Sequence, residues 1–177
     1  FPYTTLFRSP VGENLQDHVT SNIEVLLNQS LGCSLQDLYN PLNIAKYLWN
    51  GNGPLSIAGA DAMGFAKLNK TQEFPDFSFI FLPVAITNDY GWHIRKNINL
   101  RDDIWNDFYQ SYEDHSIATI LPILLHPESR GSIKLKSKDF DDELLIDANY
   151  YHNRNDIVKM ISSIRIIQQL LKSSAVQ

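Results

Sequence analysis

The fold is constrained most by short apolar runs that are separated by turn-forming residues. The run Phe77–Ile86 is the most aromatic of them, and the run Ile117–Leu125 contains Pro122. Both runs are much too short to cross a membrane as helices, and their β-branched and aromatic content is typical of strands. Because both runs are apolar on their two faces, we expect them to lie in a sheet that is covered on both sides.

Shorter strand patterns occur on either side of these two runs. In the segment 131–137, Ile133 and Leu135 alternate with polar residues, which predicts a strand with one solvated face. The sequence therefore predicts the α+β class, with an antiparallel β-sheet flanked by helices. The predicted sheet strands lie near residues 19–27, 60–68, 77–86, 117–126 and 131–137, and a further short strand lies near 144–148.

Three helices are predicted near residues 41–50, 102–112 and 156–172. Asn40 is a good N-cap for the first of them, and Gly51 is placed to end it. Its apolar residues share one face, so we expect that face to pack on the sheet. These residues are Leu42, Ala45, Leu48 and Trp49.

The last helix has the clearest helical periodicity in the chain. Asn155 or Asp156 is predicted to cap it, and Ser163 is among the polar residues predicted to point away from the core. The residues predicted to face the core are Ile157, Met160, Ile161, Ile164 and Leu171.

Composition and charge exclude several classes of function. The chain is 44% hydrophobic and 20% charged, which is ordinary for a globular protein. Its net charge is −5 and it has no run rich in Lys or Arg, so we expect no nucleic-acid partner. No apolar stretch reaches the length of a membrane span. The single Cys33 excludes a disulfide framework within this chain, and the five histidines lack metal-ligand spacing, so no metal site is predicted.

Three segments leave more than one interpretation open. Asp17 and His18 could act as a carboxylate-oriented base, but neighbouring strand residues point to opposite faces, which favours a structural role. The glycine-rich segment Gly51–Phe65 is either a wall beside a planar ligand or a tightly packed strand. Phe79 and Phe81, which share a strand face with Phe77, are either core residues or the lining of a substrate pocket.

The turn that contains Glu128 and Arg130 also has a structural interpretation. A carboxylate and a guanidinium two residues apart in a turn are usually a solvated ion pair of little energetic weight. We therefore interpret Ser129, Arg130 and Gly131 as the architecture of a turn between two strands.

Two motifs carry a resemblance to a known family. Pro10–Val19 reads PVGENLQDHV, and His126–Leu135 reads HPESRGSIKL. In sequence, order and separation they resemble two motifs of the glucose–methanol–choline (GMC) oxidoreductases, flavin enzymes that oxidise alcohols and sugars. Gly53-Pro54-Leu55, Pro75-Asp76 and the pattern Asp147…Asn149-Tyr150…Asp156 add to the resemblance. Its details are most similar to the insect glucose dehydrogenase-like branch.

The resemblance implies that this chain is the central part of a longer FAD-dependent enzyme that acts on CH–OH groups of small alcohols or sugars. Residues 10–18 would form the junction from the flavin domain, and 19–177 an incomplete substrate-binding domain whose sheet covers the flavin ring. The C-terminal GMC region would start at about 118. Asn14, Asp17 and His18 would lie near the cofactor.

The family's principal catalytic and dinucleotide-binding motifs are not found in this chain. It contains neither a Gly-x-Gly-x-x-Gly nor the family's C-terminal histidine motif, and neither His126 nor His152 stands in that motif. We therefore assign no catalytic residue and expect the chain alone to be inactive. The alternative is a non-catalytic binding module that keeps the sheet of the substrate domain. The sequence gives no indication of the oligomeric state.

The first nine residues have a separate explanation. Phe1–Ser9 is the in-frame translation of TTT CCC TAC ACG ACG CTC TTC CGA TCT, which looks like the end of a sequencing adapter. We therefore expect residues 1–9 to be no part of the fold. The sequons at Asn28 and Asn69 permit a secreted protein, and the resemblance favours an extracellular location.

Overall fold

The structure is a computed structural model that describes residues 10–29, 34–57 and 59–173. The proposed adapter segment, 1–9, lies outside the described residues. The chain forms two compact units. The first consists of the described parts of Phe1–Thr20, Ala66–Phe77 and Ile123–Gln177, and the second of those of Ser21–Phe65 and Ser78–Pro122.

The helices and strands follow the predicted order closely. The strands are β1 (Val19–Thr20), β2 (Ile23–Leu26), β3 (Ala62–Ala66), β4 (Phe77–Leu82), β5 (Ile117–Leu124), β6 (Ser132–Lys134) and β7 (Leu145–Asp147). The helices are α1 (Leu35–Leu38), α2 (Pro41–Asn50), α3 (Ile94–Asn97), α4 (Asp102–Ile104) and α5 (Arg154–Leu171). The predicted α+β class with an antiparallel sheet is confirmed.

The second unit is organised around β5. Strand β2 pairs with it in the antiparallel sense, with Ile23 opposite Ile120 and Leu26 opposite Ile117. Strand β4 is the other neighbour of β5, and β3 follows β4. The predicted burial of the central run is observed, since Ala118 and Ile120 are both buried. Glu24 lies opposite Thr119, so their side chains share one face of the sheet.

The first unit contains a separate two-stranded sheet. The segment 131–137 was predicted to join the main sheet, but β6 pairs with β7 in a separate two-stranded sheet. The reason is that the loop of residues 10–18 takes the other edge of this segment. Ile133 N–H donates to the Gly12 carbonyl at 2.6 Å, and Leu15 and Gly131 exchange two backbone hydrogen bonds of 2.9 Å.

Gly12 is required where this loop meets β6. Its φ angle is +84°, and a Cβ atom at this position would lie 2.1 Å from the Ile133 carbonyl oxygen. Any larger residue would push the loop away from the strand, because that distance is far below van der Waals contact. The glycine of the first motif therefore permits a backbone contact that other residues exclude.

Helix α2 has the predicted bounds and caps. The Asn40 side chain accepts a hydrogen bond from Leu42 N–H at 2.9 Å, and Gly51 ends the helix with a φ of +66°. The predicted packing of its apolar face on the sheet is wrong, because Leu48 and Trp49 are 78% and 89% exposed. The helix instead contacts α1 and the short 3₁₀ turn Pro54–Ser56.

The predicted helix at 102–112 is helical along its length but changes type. It begins as α4, continues as a π-helix at Trp105–Tyr109 and ends as a 3₁₀ turn at Gln110–Tyr112. Trp105 is buried, and its ring stacks on that of Tyr109 with 6.2 Å between centroids. Within this helical segment, Trp105 therefore belongs to the core and its ring packs against that of Tyr109.

Helix α5 starts earlier and is rotated relative to the prediction. Its N-cap is Asn153, whose side chain accepts from Asn155 N–H at 2.9 Å, so neither Asn155 nor Asp156 is the cap. Ile157 and Ile161, predicted to face the core, are 40% and 43% exposed. The buried side chains follow a stripe of helical spacing: Asp156, Met160, Ser163 and Ile167.

Asp156 explains that rotation. Its buried carboxylate accepts hydrogen bonds from Glu128 N–H at 2.8 Å, from Ser129 N–H at 2.9 Å and from the Ser129 hydroxyl at 2.6 Å. These bonds fix one face of the helix against the turn, so Ser163 and Ile167 are buried, whereas Ile157 and Ile161 are exposed. Within the described residues, no helix is long and apolar enough to span a membrane.

We expect Asp156→Ala to lower the free energy of unfolding by about 3 kcal/mol, because it leaves three donors without their acceptor. Urea denaturation, followed by circular dichroism, measures this change. Asp141→Ala, which removes an exposed carboxylate in the same unit, is the matched control and should change stability by less than about 0.5 kcal/mol. Equal losses in both variants would contradict the role given to Asp156.

Candidate functional site

The motif residues 10–18 lie against the segment that precedes α5. The Asp17 carboxylate accepts hydrogen bonds from the Tyr150 hydroxyl and from His18 N–H, the latter at 2.8 Å. These two bonds lower the pKa of Asp17, and the same contact raises the pKa of Tyr150. Asp17 is therefore an anionic acceptor and Tyr150 a neutral donor across the physiological pH range.

Asp17 and His18 do not form the side-chain pair of a general base. The contact between them runs from the backbone N–H of His18 to the carboxylate, and the second partner of that carboxylate is Tyr150. Asn14 is exposed and adopts a φ of +60°, a left-handed conformation that asparagine tolerates. Asp17, His18 and Gln16, together with Leu125 and Pro127, line an open cavity of about 250 Å³.

The second motif forms the turn that the sequence predicts, but its ion pair is different. Glu128 forms an ion pair with Lys159 at 2.8 Å. This ion pair and the hydrogen bond from the Asn155 side chain together lower the pKa of Glu128. The predicted pairing of Glu128 with Arg130 is wrong. The Arg130 guanidinium instead donates to two carbonyls of its own turn, those of Pro127 and Ser129.

The pattern Asp147…Asn149-Tyr150…Asp156 consists of residues that hold the two motifs in place. Asp147 accepts from Asn149 N–H at 3.0 Å, and the Asn149 side chain donates to the Arg130 carbonyl at 2.9 Å. Tyr150 bonds to Asp17 of the first motif, and Asp156 bonds to the turn of the second. Each member of the pattern therefore has a definite structural partner.

The sequence interpretation named Asp156 as a possible cap of the last helix, but it missed the role of Asp156 as a buried acceptor for the Glu128–Ser129 turn. Burial raises its pKa, but the hydrogen bonds from Glu128 and Ser129 outweigh burial, and the net effect is a lowered pKa. Its position offered a signal, because an acid three residues after a capping asparagine is typical of a helix start that binds backbone donors.

The described residues of this junction do not form a dinucleotide site by themselves. A pyrophosphate needs N–H donors at a glycine-rich turn or a helix N-terminus, and the anionic Asp17 would repel it. Among residues 10–29, 34–57 and 59–173 no group of three His, Cys, Asp or Glu side chains is arranged to hold a metal ion. The junction thus fits a neutral part of a cofactor better than its phosphates.

The aromatic strand β4 packs tightly at the position of Phe79. A Cβ atom on Gly64 would lie 2.2 Å from the Phe79 ring, so the glycine makes room for that ring. This contact favours the packed-strand interpretation for the end of the segment 51–65. Phe77 is 1% exposed and belongs to the core, whereas Phe79 and Phe81 are half-buried. The substrate-pocket role of Phe79 and Phe81 stays a prediction.

Glu24 is a second residue that the sequence interpretation missed. It lies on β2, half-buried, and its Oε1 atom is buried without a hydrogen-bond partner among the described residues. Burial raises the pKa of Glu24 from 4.5 to about 7, against the opposing effect of the Thr119 hydroxyl. The available signal was a lone acid within the β-branched run 19–27.

Comparison with known proteins identifies the family. Residues 127–177 match the sequence model of the family described as GMC oxidoreductase. The chain is 27% identical, over 84% of its length, to an ecdysone oxidase of Spodoptera littoralis. It is 30% identical over 88% of its length to an alcohol dehydrogenase [acceptor] of Pseudomonas putida, and 29% identical over 93% to an oxygen-dependent choline dehydrogenase of Pseudomonas fluorescens.

The fold is also similar to solved structures. It matches a fungal aryl-alcohol oxidase with a TM-score of 0.55 at 21% identity, covering 94% of this chain and 32% of that one. It matches an FAD-dependent oxidoreductase from Chaetomium thermophilum with a TM-score of 0.52 at 15% identity, covering 93% of this chain and 32% of that one.

The same fold thus occurs in a solved FAD-dependent oxidoreductase. The chain belongs to the GMC oxidoreductase family, as its two motifs predicted. It covers 24%, 25% and 26% of the three relatives named above, so it spans about a quarter of their length. The insect glucose dehydrogenase-like branch stays a prediction.

We expect Phe77→Ala to lower the free energy of unfolding by about 3–5 kcal/mol, because Phe77 is a fully buried core ring. Phe79→Ala and Phe81→Ala should cost less and, in a flavoenzyme that contains this segment, should change the ratio of kcat/KM between two alcohols of different size. Melting temperatures and steady-state kinetics measure both effects. If all three variants lose stability and none changes the ratio, the pocket role of Phe79 and Phe81 is wrong.

We expect Glu24→Gln to remove part of the pH dependence of stability. Because the folded-state pKa is raised to about 7, the contribution of Glu24 is fully present below pH 4.5 and is lost as pH rises through 7. The melting temperature should fall less between pH 5 and pH 9 in Glu24→Gln than in the unmodified chain. Asp107→Asn, an exposed acid of the π-helical turn, should keep the original slope; the same slope in all three proteins would contradict the assignment.

Proposed function

We propose that this chain supplies the substrate-binding part of an FAD-dependent oxidoreductase that acts on CH–OH groups of small alcohols or sugars. The observation that carries the proposal is the joining of the two family motifs. Leu15 and Gly131 exchange backbone hydrogen bonds, and Asp17 bonds to Tyr150, so both motifs belong to one built structure. The names of the relatives, which include alcohol and choline dehydrogenases, support the reaction type.

FAD is the cofactor that this proposal requires, and it would accept the hydride when bound. We place Asn14, Asp17 and His18 beside a neutral part of it. Asp17 suits that position because Tyr150 and His18 N–H already hold its carboxylate in a fixed orientation. The residues that bind the pyrophosphate, and the base that removes the alcohol proton, would come from outside the 177 residues.

An extracellular location is part of the same proposal. The two sequon asparagines, Asn28 and Asn69, are exposed, which permits their glycosylation. Asn69 lies in a turn in which its side chain accepts from both the N–H and the hydroxyl of Thr71. We also keep the glucose dehydrogenase-like branch as the more specific form of the proposal, with a sugar as substrate.

The second candidate is a binding module without redox chemistry. It is favoured by one observation, namely that Asp17, Glu128 and Asp156 all have structural partners, so none of these acids is left to act on a substrate. The two candidates differ in what the complete gene product contains. Only the enzyme requires a flavin that an alcohol can reduce.

We expect the 177-residue chain alone to retain no FAD after incubation with an excess and desalting, because it encodes no glycine-rich pyrophosphate site. The visible absorption spectrum measures retention. Stoichiometric flavin absorbance after desalting would contradict this expectation. It would also show that the junction residues bind the cofactor more strongly than their chemistry predicts.

The function itself is tested on the product of the full-length transcript that contains this segment. The purified protein should contain FAD, and anaerobic addition of a panel of alcohols and sugars should bleach its flavin absorbance. A protein that is folded but contains no flavin would favour the binding module. A flavin that no compound with a CH–OH group reduces would overturn the proposed reaction.

A further inference from the structure

Two asparagine–glycine pairs follow one another at the end of α2. They are Asn50-Gly51 and Asn52-Gly53, and no other asparagine of the sequence precedes a glycine. Because glycine has no Cβ atom, its backbone nitrogen can approach the side-chain amide of the preceding asparagine with little steric hindrance. Attack of that nitrogen on the amide carbon is the first step of deamidation. Since the two pairs are chemically alike, the fold decides which of them reacts.

The end of α2 holds the first pair in place. Asn50 is the last residue of the helix, and Gly51 N–H donates to the Tyr47 carbonyl at 2.8 Å. The φ angle of Gly51 is +66°, the left-handed conformation that ends the helix. The Gly51 nitrogen can therefore attack Asn50 only after it loses this hydrogen bond and the last helical turn opens, which costs free energy.

The second pair lacks this restraint. Asn52 is exposed and belongs to neither a helix nor a strand. Within residues 10–29, 34–57 and 59–173, Gly53 N–H donates no hydrogen bond. A Cβ atom placed on Gly53 would meet no described atom within 4 Å, so there is room for a side chain to fold against this residue. The Gly53 nitrogen is thus available to Asn52 without any opening of the fold.

We propose that Asn52 is a site of spontaneous deamidation, whereas α2 protects Asn50. The Gly53 nitrogen loses its proton to hydroxide and attacks Cγ of Asn52, so an N–Cγ bond forms. The Cγ–Nδ2 bond then breaks and ammonia leaves, which takes its extra proton from water. Water opens the resulting cyclic imide at either carbonyl, giving aspartate or isoaspartate. Overall, one water is consumed and one ammonium ion is released, and a carboxylate replaces the amide.

The modification would alter the turn that follows it. The new carboxylate would lie two residues beyond the end of α2, where the helix carbonyls carry partial negative charge. Isoaspartate also lengthens the main chain by one methylene group just before Gly53. The Gly53 carbonyl accepts from Ser56 N–H at 2.9 Å and from the Ser56 hydroxyl at 2.6 Å. Deamidation should therefore loosen the turn Pro54–Ser56 and lower the melting temperature.

One tryptic peptide reports on both asparagines. The folded 177-residue chain would be incubated at pH 8, sampled over time and digested with trypsin. Residues 47–67 form a single peptide, because no Lys or Arg lies between Lys46 and Lys67. Mass spectrometry measures its deamidated fraction, and electron-transfer fragmentation assigns the change to Asn50 or Asn52 and separates aspartate from isoaspartate. An unincubated sample, digested in the same way, corrects for deamidation during digestion.

The expected rates differ between the folded and the unfolded chain. In the folded chain, Asn52 should react about tenfold faster than Asn50, because only Asn50 requires the helix end to open. The rate at Asn52 should rise about tenfold from pH 7 to pH 8, since the attacking amide anion increases tenfold per pH unit far below its pKa. In a urea concentration that unfolds the chain, the rates at the two asparagines should agree within about twofold.

Two variants serve as test and matched control. Asn52→Gln should remove nearly all deamidation from the peptide, because glutamine would have to close a larger ring, which is slower. Asn50→Gln should leave the rate at Asn52 unchanged. Both positions are exposed, so neither substitution should prevent folding. The melting temperature should fall during incubation of the unmodified chain and of Asn50→Gln, but not of Asn52→Gln.

Faster deamidation at Asn52 in the folded chain, with similar rates in urea, supports the proposal. Equal rates in the folded chain overturn it, as does faster reaction at Asn50. An Asn52 that keeps its amide in the folded chain but loses it in urea also overturns it. A preference for Asn52 that persists in urea overturns the protective role of α2. None of these outcomes depends on flavin content, so they stand apart from the proposed oxidoreductase function.

Discussion

The first unit depends on the buried carboxylate of Asp156. It accepts two backbone N–H groups and one hydroxyl from the Glu128–Ser129 turn, while the Ser129 hydroxyl accepts from Asn153 N–H at the start of α5. This closed set of bonds fixes both the turn and the rotation of the helix. It also determines where the segment before α5 lies, and so brings Tyr150 to Asp17. Removing a carboxylate from water costs free energy if it has no hydrogen-bond partner. Here the three hydrogen bonds that Asp156 accepts offset that cost.

The two family motifs can therefore be understood as parts of one structure. Gly12 permits the backbone contact with Ile133, Leu15 pairs with Gly131, and Asp17 accepts from Tyr150. None of these contacts performs chemistry on a substrate. They hold the loop of residues 10–18 against β6 and against the segment before α5.

Asp156 and Glu24 show that hydrogen-bond partners decide how burial affects an acid. Asp156 is the more buried of the two, yet its pKa is lowered because three donors meet its carboxylate. Glu24 is only half-buried, yet its pKa is raised to about 7 because Thr119 alone opposes the effect of burial. The first acid is a structural anchor, and the second is a group with unused bonding capacity.

The sequence by itself determined the class of fold, the order of the elements, the bounds of α2 and the family. These follow from local patterns, namely strand runs, the Asn40 and Gly51 caps and two contiguous motifs. Tertiary structure alone decided the rotation of α5, the separation of β6 and β7 from the main sheet, and the exposure of Trp49. The first two depend on contacts between residues far apart in the chain, namely Asp156 with Ser129 and Gly12 with Ile133. Periodicity shows that a helix has an apolar face. Hydrogen bonds to a buried carboxylate can stabilise the fold more than the burial of one isoleucine side chain, and they then determine which face of the helix packs inward.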